Sequence, residues 1–293
     1  MTQKQANLLL ATVSLGWGTS YIFMKLLADT VSPFTVIALR FGIAFLVMLV
    51  IFYKKLITVN TKTLQYSAIV GALLCGIFIA LMYGMKTTTA SSAGFLTSTT
   101  VILVPILQTL ITKKLPRKEV IYGVITVSIG LSLLTINDDF TFALGSILCV
   151  VAALLYAVHI IVTNYFVQEV DAFQLGIFQL GFAGVYAIIG NFLFETPALP
   201  TEAVEWFSIL GLAIVCSAYG FVMQPIAQKY TTPESTGFLF SLEPVFSAIF
   251  AFLFLGENMG VQGYLGALLI LAGVLIANTP LKRRIVLKDL EDF

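Results

Sequence analysis

Apolar stretches of about twenty residues follow one another along almost the whole chain, parted by short loops where charges and prolines collect. Inside hydrocarbon every backbone N–H and C=O must find its partner within the protein, so stretches of this kind fold as helices. About twenty helical residues cross the ~30 Å of apolar bilayer core. The runs are too long for barrel strands and do not alternate in polarity. Composition agrees: 59% of the 293 residues are hydrophobic and 11% charged, with mean hydropathy +0.99, whereas about a quarter of a soluble domain is charged. We place ten helices at about 6–28, 33–53, 66–86, 91–112, 120–136, 143–165, 172–194, 206–228, 234–255 and 259–279. The first run continues into another span without a small-residue cleavage pattern, so it reads as a membrane helix rather than a signal peptide.

The second half of the chain repeats the first. Gly94, Leu96 and Ser98 recur as Gly237, Leu239 and Ser241, and Gly123 and Gly130 recur as Gly266 and Gly273, all at a spacing of 143. Nearer the start of each half the spacing is 139, which sets Trp17, Phe34, Arg40 and Gly42 opposite Tyr156, Phe173, Gln179 and Gly181. Ordered matches across several helices set this pattern apart from the chance likeness of apolar segments. Five helices per half is an odd number, so the second copy enters the membrane from the opposite face and the repeats are inverted. The expected units are 1–137 and 138–281, followed by a short charged tail at 282–293.

Basic residues fix the orientation. Lys54, Lys55 and Lys62 lie between the second and third helices, Lys113, Lys114, Arg117 and Lys118 between the fourth and fifth, and Lys282, Arg283, Arg284 and Lys288 after the tenth. An even number of spans puts them all on one side. The positive-inside rule makes that side cytoplasmic, with both termini inside and the loops carrying Asp138, Asp139, Glu195, Glu202 and Glu205 outside. Cys75, Cys149 and Cys216 fall within helices and read as small buried apolar residues.

Leu15-Gly16-Trp17-Gly18-Thr19-Ser20 and Leu39-Arg40-Phe41, then Ser241-Leu242-Glu243-Pro244-Val245-Phe246 and Leu253-Phe254-Leu255-Gly256-Glu257, resemble the EamA family of the drug/metabolite transporter superfamily. The resemblance spans essentially the whole chain. It implies ten helices in two inverted halves around a cavity walled by helices one to four and six to nine, with helices five and ten peripheral. The first copy departs from the pattern: Thr100 and Val101 stand where the second has Glu243 and Pro244, and its proline comes a turn later as Pro105.

Several residues are candidates for the chemistry. Glu243 falls near mid-membrane, where a charge is costly; it either binds solute or couples protons, or it braces the kink at Pro244. His159, the one histidine, is a second protonatable candidate toward the cytoplasmic end, against the alternative of a hydrogen-bonded packing residue. Trp17, Tyr21, Tyr83, Tyr156 and Tyr219 offer aromatic faces that stack on rings or hold cations, or simply pack. Gln224 and the run ending at Thr100 add neutral donors and acceptors. Lys25, Asp29 and Arg40 form a group of charges on the outer side, with Arg40 either contacting solute or pairing with Asp29.

The leading expectation is a secondary transporter of small organic solutes, above all amino acids or related metabolites, working outward by alternating access in a bacterial inner or plasma membrane. Its partners are the solute, the lipid bilayer and protons, with no nucleic acid; the protein is a monomer or homodimer. Proton-coupled efflux of organic cations is the alternative. No cofactor is expected: there is no phosphate-binding Gly-x-x-x-x-Gly-Lys-Ser/Thr loop, and Gly16-Trp17-Gly18 lacks a dinucleotide context. A metal site would need more ligands than one histidine supplies. An enzyme would need paired acids or a histidine constellation, and a channel a filter sequence.

Overall fold

The computed structural model describes residues 1–87, 90–135, 144–255 and 260–278. Asp138, Asp139, Glu257 and the tail bearing Lys282, Arg283, Arg284 and Lys288 lie outside the described residues. Those described form an all-α bundle of about ten helical segments. Single segments are α3 (Pro33–Leu56), which kinks at Phe52 near its end, α4 (Thr61–Met85), α7 (Lys118–Thr135), α8 (Leu144–Phe166), α9 (Ala172–Phe194) and α14 (Gly260–Asn278). Four others are broken, where continuous helices are expected from the apolar pattern alone. They are α1 (Gln3–Gly18) with α2 (Ser20–Leu27), α5 (Ala90–Ser98) with α6 (Thr100–Thr112), α12 (Pro233–Phe240) with α13 (Glu243–Leu255), and α10 (Ala203–Gly211) with α11 (Gly220–Gln228) around a π-helical stretch, Leu212–Tyr219.

Three of the breaks share a cause. Thr19 Oγ1 donates to the Gly16 carbonyl at 2.7 Å, Thr99 Oγ1 to Leu96 at 2.5 Å, and Ser241 Oγ to Phe238 at 2.6 Å. A hydroxyl that takes a carbonyl three residues back competes with the helical amide and bends the chain. Thr99 and Leu242 are equivalent at the spacing of 143, so the fourth and ninth segments break at matching points although one has Thr100-Val101 and the other Glu243-Pro244.

Five helices are long and apolar enough to cross a membrane: Pro33–Leu56, Thr61–Met85, Leu144–Phe166, Ala172–Phe194 and the run Ala203–Gln228. Leu8, Val50, Leu110 and Phe192 are among many large apolar side chains that face outward, as a bundle in lipid requires. The protein is an integral, multi-pass membrane protein. Its packing comes in matched sets: α3 lies on α9 and α7 on α14, while α4 on α8 is answered by α11 on α1, and α4 on α9 by the π stretch on α3. Each set is recovered when the two halves are exchanged. The duplicated glycines sit at the α7–α14 crossing, where a Cβ on Gly130 would stand 2.7 Å from the Gly266 carbonyl and one on Gly123 3.0 Å from that of Gly273.

Hydrogen bonds tie the ends of the bundle. At one end Tyr66 donates to Glu169 at 2.6 Å, Lys62 pairs with the same carboxylate at 2.7 Å, Gln174 donates to the Lys55 carbonyl, and Thr231 to Asn7. Lys55, Lys62, Glu169 and Thr231 therefore share that end. At the other, Glu195 accepts from the Phe34 amide and the Tyr83 hydroxyl, and Asn191 donates to Thr35.

Candidate functional site

The breaks converge on a cavity. It is lined by Trp17, Ser20, Tyr21 and Met24 of the first segment, Arg40 of α3, Leu74, Ile77, Phe78 and Leu81 of α4, Thr97 of α5, Tyr156 of α8, Phe221 of α11 and Glu243 of α13. It is narrow, and it holds a cation and an acid among apolar and aromatic walls. A smaller pocket beside it shares Thr97, Tyr156 and Glu243 and adds Ser98, Thr100, Gly237, Phe240 and Ser241.

Arg40 is the most constrained member. It is 1% exposed; its Nε donates to Ser217 Oγ at 2.7 Å, one terminal nitrogen reaches Met24 Sδ at 3.8 Å, and the guanidinium lies 4.1 Å from the centre of the Phe78 ring. Phe41 and Phe221 flank it at 5.2 and 5.9 Å. The aromatic faces offset part of the desolvation of the charge. Ser217 and Met24 take two of its five N–H groups, which leaves donors for a third partner. The expected pairing with Asp29 does not form: Asp29 and Lys25 are exposed, while Arg40, two turns into α3, meets the π stretch. That stretch supplies both Ser217 and the Cys216 carbonyl, which accepts from Trp17 Nε1 at 2.7 Å. An extra residue per turn re-aims consecutive groups toward one point.

Glu243 opens α13 instead of lying inside a longer helix. There the unpaired amides of a helix start offset negative charge, and Pro244, at the second position, has no amide to leave orphaned. Its side chain interacts with the Tyr21 hydroxyl, which also meets Thr97. Arg40 and Glu243 sense each other electrostatically, yet the ion pair present among the described residues is Lys62–Glu169.

Trp17 forms the floor. Its ring centroid lies 4.8 Å from Phe221, 4.8 Å from Phe240 and 6.0 Å from Tyr156, and the Tyr156 and Phe240 rings stack within 7° of parallel. Thr100, in the smaller pocket, donates to the Ala153 carbonyl at 3.1 Å.

The remaining candidates lie elsewhere. Tyr83 is engaged with Glu195 at the bundle end. Tyr219 is half-exposed and bonded to Thr12 at 2.6 Å on the periphery, because it ends the π stretch on the face away from Arg40. His159 and Gln224 are fully buried outside the cavity wall, with His159 Nε2 3.0 Å from Gln179 Oε1. Sequence reasoning missed Ser217, Phe78 and Phe221. The last two are equivalent at the spacing of 143, a signal that was present; nothing local marks Ser217, because its role depends on the π register. Two other grooves open between α4 and α9 and between α3 and α9. Their walls are apolar apart from Tyr186, so they lack the convergent polar groups that orient a solute.

Comparison with known proteins places the chain in a family. The EamA-like transporter family profile matches residues 4–136 and again 143–279. An uncharacterized transporter of Archaeoglobus fulgidus is 29% identical over 274 residues, covering 93% of this chain and 85% of its own. The uncharacterized transporter YoaV of Bacillus subtilis is 25% identical, with 93% and 96% covered. A crystal structure with 18% identity superposes at a TM-score of 0.78 over 94% of this chain and 96% of that one, which shows the fold. With nearly all of the chain accounted for by two successive matches, the protein belongs to the EamA-like transporter family.

Proposed function

We propose that the protein is a secondary transporter of small zwitterionic solutes, amino acids or closely related metabolites, which it exports by alternating access between inverted halves, 1–137 and 138–281. The observation that carries this reading is a cavity holding one buried cation and one acid that do not neutralise each other. Arg40 takes the solute carboxylate through its remaining N–H groups, Glu243 takes the ammonium, and Trp17, Tyr21 and Tyr156 supply faces for an apolar side chain. The basic loops support ten spans with both termini cytoplasmic, and Lys55 and Lys62 share one end of the bundle, as that orientation requires; the membrane in this reading is a bacterial inner or plasma membrane. Energy comes from a gradient, with Glu243 rather than His159 as the proton-coupling group, since His159 is bonded to Gln179 outside the cavity wall.

Efflux of organic cations is the second reading, favoured by the aromatic walls and Glu243. Arg40 in the same cavity opposes it, since a cation would meet like charge in a poorly solvated space. Purified protein in lipid vesicles decides between them. Saturable movement of amino acids, lost in Arg40→Ala, is expected; movement of lipophilic cations with none of amino acids would overturn the zwitterion reading. Glu243→Gln is expected to abolish dependence on a pH gradient and, with the carboxylate that takes the ammonium gone, to raise KM for solute exchange.

A further inference from the structure

Exchanging the halves carries the cavity onto a second set of residues. In the register that sets Trp17 on Tyr156 and Phe78 on Phe221, Ser20 falls on His159, Met24 on Thr163, Arg40 on Gln179 and Leu81 on Gln224. These four are fully buried, each at 0% exposure. They form a polar seam on α8, α9 and α11, held where Gln179 meets His159 at 3.0 Å and donates to the Phe221 carbonyl at 2.7 Å. The seam continues toward the end that carries the α3–α4 loop, where Asn164, next to Thr163, donates to the carbonyls of Gln228 and Thr231.

The seam is poorly satisfied. Among the described residues, His159 Nδ1, Thr163 Oγ1 and both amide atoms of Gln224 have no hydrogen-bond partner in the protein. Polar side chains that serve only to glue helices together use their hydrogen bonds across the interface, and orphaned buried groups are costly. The cost makes sense if another state of the protein gives these groups partners. Repeat register and orphaned atoms are separate observations; His159, Thr163 and Gln224 appear in both, while Gln179 is satisfied and orphaned atoms also occur elsewhere, as at Tyr156 and Asn191.

We propose that the seam His159–Thr163–Gln179–Gln224 is the closed wall of a second half-cavity, a neutral hydrogen-bonding passage that opens toward the α3–α4 loop side when the first cavity closes. The proposal rests on the alternating-access reading and adds to it the residues and chemistry of the other half-path. Solute leaves a charged cavity for amide, hydroxyl and imidazole groups, which relay it without gripping it.

Accessibility tests this without knowledge of the solute. In a background with Cys75, Cys149 and Cys216 replaced by Ala, Thr163→Cys and Gln224→Cys are expected to react with a membrane-impermeant thiol reagent from the α3–α4 loop side alone. Ser20→Cys reacts from the opposite side, and lipid-facing Leu110→Cys from neither. Silence of both seam cysteines from the loop side, in variants whose unfolding midpoints are unchanged and alongside a reactive Ser20→Cys, overturns the proposal. A second measurement guards against misfolding: Gln224→Leu is expected to hold or raise the thermal midpoint in detergent while slowing transport about tenfold. A fallen midpoint with unaltered transport marks the seam as packing and also overturns it. Sided labelling without amino acid movement upholds the passage and removes the solute class instead.

Discussion

Arg40 sits two turns inside a membrane helix, where a lone charge is expensive, and three aromatic rings and one hydroxyl hold it in place. Lysine would keep the charge and lose the planar stacking and fork geometry. Arg40→Lys is therefore expected to raise KM for a carboxylate-bearing solute roughly ten- to hundred-fold, the scale of one charge-assisted hydrogen bond, with the thermal midpoint little changed; vesicle kinetics would show it. An unchanged KM would remove Arg40 from solute contact. Glu169 presents the opposite case, an exposed acid in the α8–α9 loop. Hydrogen bonds from Lys62 and then Tyr66 hold its pKa below the ordinary carboxylate range. A carboxylate with a lowered folded pKa stabilises the structure above its unfolded pKa, and that contribution is lost as pH falls through the folded value. The tie between α4 and the α8–α9 loop should weaken on acidification below the ordinary carboxylate range, and the unfolding midpoint of Glu169→Gln should lose that part of its pH dependence.

At the scale of elements, three helix breaks are written in hydroxyls and one in a π turn. Thr19, Thr99 and Ser241 each cap a carbonyl three residues back, and the cavity lies where the broken segments meet. Replacing the hydroxyls lets the amides reclaim those carbonyls. Thr99→Val is expected to straighten α5 into α6, leaving stability within about 1 kcal/mol, since one hydrogen bond replaces another, while turnover falls because the cavity wall shifts. Unfolding midpoints beside initial transport rates would reveal the split; normal turnover would mean that the break has no part in the cycle.

The whole molecule is organised by the exchange of halves. Its crossing of α7 on α14 depends on backbone-to-backbone approach at the duplicated glycines, where a Cβ on Gly273 would meet Val127 at 2.6 Å. Overpacking there costs roughly 1–3 kcal/mol per site, so Gly130→Val and Gly273→Val should each lower the thermal midpoint. The effect should be large in the pair, because each pushes on the same crossing. Retained stability in the double variant would mean that α7 and α14 do not need to touch.

The one-dimensional sequence determined the solvent, the helical class, the duplication and the family, because these follow from counts, periods and spacings that survive without coordinates. Trp17, Tyr21, Tyr156 and Glu243 could be read as residues of one cavity because depth along a helix is a matter of counting. Tertiary structure decided which side of a helix each residue presents after a break. A hydroxyl cap or one extra residue in a turn rotates everything beyond it, which brought Arg40 and Ser217 together, sent Tyr219 to the periphery and Tyr83 to Glu195, and buried His159 and Gln224 together with Gln179 in a seam of their own. Rotation about a helix axis is set by packing against neighbours distant in the chain, and a list of residues contains no record of it until the helices meet.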